Sequence, residues 1–161
     1  MTDQQKAPTQ KTAEAKKPAV FSFKISNDVI SEVAYTPNGF DDDPIIFKLK
    51  YMDKKQASKL TKKNTKIKFV NHQKEQSSDD EGFTRDFIKN HILGWSGMTV
   101  AKLKTLVPIE SELSDDVDVP FNEDTCFLLI DNAWEIWGFL QESAMDLSNF
   151  RAGDKEAERK N

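Results

Sequence analysis

Between Ile45 and Leu60 the chain changes its hydrophobic period, and that change limits what it can fold into. In "IIFKLKYM" (45–52), Ile45, Phe47, Leu49 and Tyr51 alternate with polar neighbours that include Lys48 and Lys50. A period of two sends successive side chains to opposite faces, so this segment predicts a strand with an apolar inner face and lysines in water. From Asp53 the alternation stops. "DKKQASKLTKK" (53–63) offers Asp53 as an N-cap, good helix formers after it, and Ala57 and Leu60 as a sparse apolar side. A strand that hands over to a surface helix points to a mixed chain.

The flanking segments extend that reading. "VISEVAY" (29–35) places Val29, Ser31, Val33 and Tyr35 opposite Ile30, Glu32 and Ala34, and "VFSFKI" (20–25) alternates in the same way. Ser26-Asn27-Asp28 between them suits a hairpin, and "TPNG" (36–39) is a turn. "KIKFV" (66–70) fits a strand or part of a second helix, and "NHQKEQSSDDEG" (71–82) reads as a polar loop or a weak helical extension. Ser78 or Asp79 then caps a helix carrying Phe83, Phe87, Ile88 and Ile92, which should stop at Gly94. In "GWSG" (94–97), Gly94 ends that helix, Trp95 pins the turn into the core and Gly97 lets the chain leave, which makes a structural corner. "TVAKLKTLV" (99–107) predicts a short helix before Pro108, and an acidic loop covers 109–119. The strongest helical region is "PFNEDTCFLLIDNAWEIWGFLQESAMDL" (120–147), with Asn122 as cap and Asp131-Asn132 as a point of division. The expected class is α+β, a small N-terminal antiparallel sheet followed by a mainly α-helical C-terminal half. The expected organisation is a disordered tail over 1–18, a single domain over 19–150 and a charged tail over 151–161.

Charge is distributed unevenly. Of the 161 residues 37% are hydrophobic and 31% charged, so the core is modest, and the formal charge of -4 hides a division. Residues 48–74 hold ten lysines against Asp53, whereas fourteen acids face four bases from Ile109 onward. Such asymmetry suggests self-association or a charged partner. A lone Cys126 excludes an internal disulfide and suits a reducing compartment. The N-terminus lacks an apolar stretch for a signal, and no run approaches the roughly eighteen apolar residues of a membrane span. The expectation is a soluble intracellular protein.

The inventory of reactive groups is thin. His72 and His91 have no zinc-type spacing around Cys126. Cys126 in a first helical turn could have a lowered thiol pKa, but Thr125, Phe127 and Leu128 around it favour packing. Asp41-Asp42-Asp43 lacks the alternation of a calcium loop, and nucleophile, phosphate-loop and dinucleotide signatures are missing. Nothing here calls for a catalytic residue, a cofactor or a metal. The lysine segment is the rival signal, since lysines neutralise phosphates and Phe47, Tyr51 and Phe69 could stack on bases. Alternation turns Phe47 and Tyr51 inward, however, and the segment has no arginine, so a solvated basic face or an acidic protein partner is favoured over nucleic acid. Trp134 and Trp137 read most simply as core, with protein binding as the alternative.

The succession of a helix, "ILGWSGM", an acidic linker, "DVPFNEDTCFLLIDNAWEIWGFLQE" and the closing "NFRAGDKEAERKN" resembles the tail assembly chaperones of long-tailed bacteriophages. The N-terminal Pro-Asn-Gly turn and "FKLKYMDKKQASKL" are similar to that family's strand and helix, and the resemblance runs from about Val20 onward. The segment "TVAKLKTLVPIESELSDDVD" is longer than the family's linker. The resemblance implies a non-enzymatic protein of the infected host cytoplasm that binds and solubilises the tape measure protein. It also implies recruitment of tail tube protein and absence from the virion. Candidate contacts under this reading are the apolar Phe127, Ile130, Trp134, Trp137 and Leu140 and the basic Lys54, Lys59, Lys62 and Lys63. Two other readings stand beside it: a nucleic-acid-binding regulator using residues 48–74, and a permanent minor tail protein.

Overall fold

The computed structural model describes residues 28–151. The alternating 20–25 segment, its hairpin turn through Ser26 and Asn27, the 1–18 tail and all but Arg151 of the C-terminal tail lie outside the described residues. The fold is α+β. A three-stranded antiparallel sheet has the order β1 (Ile30–Tyr35), β2 (Ile45–Lys50), β5 (Ile92–Ser96). Ser31, Val33, Ile45, Phe47 and Leu49 point into the protein, as the alternation requires. Against this face pack α2 (Asp80–His91) and α5 (Trp134–Met145), and α4 (Glu123–Asn132) lies on both helices. Phe47, Phe87, Leu49, Ile136 and Leu140 are fully enclosed at the centre. Burying each such side chain contributes about 1.5–3 kcal/mol. The aromatic contacts run edge to face, with Phe87 at 5.1 Å from Trp137 and Tyr35 at 5.0 Å from Phe139.

Helix starts follow their capping chemistry. α1 (Lys54–Lys63) opens on a capping box, the Asp53 carboxylate accepting from Gln56 N while the Gln56 side chain accepts from Asp53 N. Asp79 caps α2 through Gly82 N, Thr99 caps α3 (Val100–Leu106), and Asn122 caps α4 through Thr125 N. The strongly helical 120–147 stretch divides at Ala133, one residue beyond Asp131-Asn132, and α5 starts there without a side-chain cap.

Two sequence expectations are overturned. Residues 73–78 are neither loop nor helix. They form β4 (Gln73–Ser78), paired antiparallel with β3 (Thr65–Val70) in a separate two-stranded sheet. Asn71 and His72 turn the hairpin with φ of 51° and 63°, the left-handed pair that a two-residue hairpin turn needs. Nor does α2 stop at Gly94. It ends at His91, and Ile92 passes directly into β5. Pairing with β2 prevails over the helical spacing, because it places Ile92 (3% exposed) and Trp95 on the core side.

Candidate functional site

The corner around Trp95 is architectural, with different roles from those its glycines suggest. Gly94 does not end a helix: it lies in β5 opposite Lys48, and a Cβ there would meet nothing within 4 Å. Trp95 sits across from Phe47, ring centroids 6.2 Å apart at 86°, and its Nε1 donates to Val119 O at 2.7 Å. Phe121 closes the other side at 5.0 Å. The tryptophan thus holds the long 109–121 connection onto the sheet. Gly97 does need to be glycine, since its φ is 71° and a Cβ would lie 3.0 Å from Pro44 O. Beside it Lys102 is 1% exposed, its Nζ donating to Gly97 O at 2.7 Å and pairing with Asp43 at 2.8 Å. One carboxylate of the acidic 41–43 loop therefore answers a buried lysine.

The reactive groups are quiet. Cys126 is fully buried, and burial, with Glu123 nearby, pushes its thiol up to about 12, the opposite of an activated first-turn cysteine. His91 is 5% exposed. Burial lowers its pKa, and Nδ1 lies 3.3 Å from Lys50 O. Burial first, then the hydrogen bond its hydroxyl donates to the Glu135 carboxylate, raises the Tyr35 pKa to about 12. Among the described residues no three His, Cys, Asp or Glu side chains gather as metal ligands, and no helix is long and apolar enough to cross a membrane.

The five apolar contact candidates separate sharply. Ile130 (4% exposed) and Leu140 (0%) are sealed in the core and cannot meet a partner in this fold. Phe127 is half-buried beneath the Arg85 guanidinium, 4.1 Å from the ring centre, and Trp137 is half-buried against Phe83 and Phe87. Trp134, read from sequence most simply as core, is 84% exposed at the start of α5. The break at Ala133 explains this, because it interrupts the helical register that would carry Trp134 onto the same face as Ile130, four residues earlier. Exposed Leu128, Asp131 and Glu135 lie near it in the chain.

The basic candidates are all on the surface. Lys54, Lys59, Lys62 and Lys63 lie along α1, with Lys63 paired to Asp86 at 2.7 Å. That contact, together with a hydrogen bond from Asn64, holds the Asp86 carboxyl below its usual range. Lys59, Lys63 and Lys50 line a groove of about 390 Å³ between α1 and α2, with Asp86, Asn90 and His91 at its wall. Of the hairpin's apolar residues the sequence points only to Phe69, as a ring that could stack on bases. Ile67 (51% exposed), Phe69 (76%) and Val70 (43%) stand in water among Lys66, Lys68 and Lys74. The available signal was Phe69 in a lysine-rich run whose strand assignment was open. Comparison with protein-family models, with curated proteins and with solved structures finds no match to the chain.

Proposed function

We propose that this protein is a non-enzymatic assembly chaperone, of the phage tail assembly type, that shields an apolar helical client in the host cell. The observation that carries the reading is Trp134. It is a tryptophan 84% exposed beside Asp131 and Glu135, on a body whose other tryptophans are at least half-buried. Exposed aromatics ringed by charge are the usual anchors of protein interfaces. The resemblance to the tail assembly chaperones, which runs from about Val20 onward, supplies the client class, a tape measure protein, with tail tube protein as second partner.

Pull-down of the tagged chain from phage-producing cells, with and without nuclease, tests this reading by mass spectrometry. A long helical tape-measure-like protein should be retained after nuclease, and Trp134→Ala should lose it while remaining folded. Retention of the client at wild-type level by that variant would overturn the assignment.

One observation favours a second reading, nucleic-acid binding, because Phe69 is exposed among lysines where a base could stack. It requires binding that weakens steeply with salt and is lost on charge reversal of Lys59, Lys62 and Lys63.

A further inference from the structure

We propose that the β3–β4 hairpin is a contact for an anionic lipid surface, its apolar far half lying in the headgroup region of a bilayer. Neither the chaperone reading nor a client is needed for such a contact.

The hairpin is uncovered along its length. Every residue from Lys66 to Ser78 is exposed, and neither strand pairs with a third among the described residues. Its base is tied down by Asp79 N donating to Asn64 O at 2.7 Å and by the Lys66–Asp79 ion pair at 2.8 Å, so the far end is the part presented. Alternation puts Ile67 and Phe69 on one face there and Val70 on the other, beside the Asn71-His72 turn. A folded partner laid on this ribbon would cover one face, whereas a fluid apolar medium covers both faces and the tip together. Ile67 and Val70 also separate lipid from nucleic acid, because a base stacks on Phe69 but finds no ring on either aliphatic side chain.

From Ile67 to Val70 a strand rises about 10 Å, comparable to the depth at which interfacial elements sit between headgroups and acyl chains. The open strand edges set the limit of entry. Unpaired N–H and C=O groups are costly in hydrocarbon, so the backbone stays among hydrated headgroups and only side chains reach the acyl boundary.

Charge on the hairpin itself selects the lipid. Residues 65–78 hold Lys66, Lys68 and Lys74 against Glu75, a net of +2. Lys68 and Lys74 make no ion pair among the described residues, and Lys74 stands directly across from Phe69. A lysine in that place keeps its ammonium at the level of the lipid phosphates while the ring beside it goes deeper. The chain as a whole carries -4, which opposes an anionic surface. At about 0.1 M salt, charges more than about 10 Å behind the contact are largely screened, so the hairpin must lead.

The test is flotation of the full chain with phosphatidylcholine vesicles, with and without about 30% phosphatidylglycerol, at about 100 mM and about 500 mM salt. The chain should float with the anionic vesicles at the lower salt, and binding should weaken at least about tenfold on pure phosphatidylcholine or at the higher salt. Phe69→Ser and Lys74→Glu should each weaken it about fivefold or more, whereas Trp134→Ala, away from the hairpin, should leave it unchanged. Circular dichroism checks folding, and the two hairpin variants stand in for each other if one fails. Phe69→Trp should gain a blue-shifted emission on anionic vesicles that brominated acyl chains quench, a signal the parent chain lacks. A chain that stays unbound at the lower salt, binding indifferent to phosphatidylglycerol, or binding untouched by the hairpin variants would overturn the proposal. Vesicles left bare while a single-stranded oligonucleotide is bound through Phe69 would overturn it too, and assign the hairpin to nucleic acid.

Discussion

Strands β2 and β3 are both six residues long, and both interleave two lysines with apolar side chains, "IIFKLK" against "TKIKFV". Their fates are opposite. Ile45, Phe47 and Leu49 are 0% exposed, whereas Ile67 and Phe69 are 51% and 76% exposed. Both alternate, so both present an apolar face; β2 is covered because β1 and β5 flank it and α2 and α5 lie over it. Among the described residues only β4, with no large apolar residue, flanks β3. Alternation produces a face, and neighbouring elements decide whether it becomes core or contact surface.

The sharpest way to break this comparison is to truncate both faces. Phe47→Ala should cost about 3–5 kcal/mol in urea unfolding, while Phe69→Ala and Trp134→Ala should change the stability of the isolated chain by about 0.5 kcal/mol or less. Equal losses at Phe47 and Phe69 would mean that the hairpin packs on the body. The two glycines of the corner form the next contrast. Gly97→Ala should destabilise by roughly 1–3 kcal/mol, since it combines a left-handed φ with a tight approach to Pro44 O, and Gly94→Ala should be close to neutral. A large loss at Gly94 would restore its role as a helix stop. Asp53→Ala removes one half of the capping box and should cost about 1 kcal/mol, read from the thermal midpoint.

The smallest effect concerns pH. Burial lowers the His91 pKa in the folded state below the 6.5 of a free imidazole. Below that value the unfolded chain binds the extra proton first, so folding stability falls as pH drops through 6.5 and is flat above it. His91→Gln should remove that slope without moving the loss at lower pH, where Asp86 and Asp79 protonate. An unchanged slope between pH 5 and 7, followed by urea midpoint, would contradict the burial of His91.

Much of the fold was legible where a local signal and its neighbours agreed. The alternation of β1, the inward face of β2, the caps at Asp53 and Asn122, Asp79 as one of two candidate caps with Ser78, and the short helix before Pro108 all follow from spacing and hydrogen-bonding chemistry. The candidate site was legible only in part. Residues 54, 59, 62 and 63 are surface lysines as charge requires; Asp131-Asn132 marks a division of the last helical stretch, but the aromatic spacing does not reveal that the break at Ala133 leaves Trp134 outside. The β4 hairpin lacked the Asn-Gly signature, since Asn71-His72 reaches the same backbone with a residue that rarely marks it.

The sequence by itself determined periods, caps, turns and the separation of basic from acidic surface, because these depend on residues a few positions apart. Only the tertiary structure decided that Ile92–Ser96 is a strand, that Lys102 is buried, and that Phe47 is core while Phe69 is surface. Those outcomes depend on which distant segments arrive to cover a face or accept a hydrogen bond, and no local pattern records that arrival.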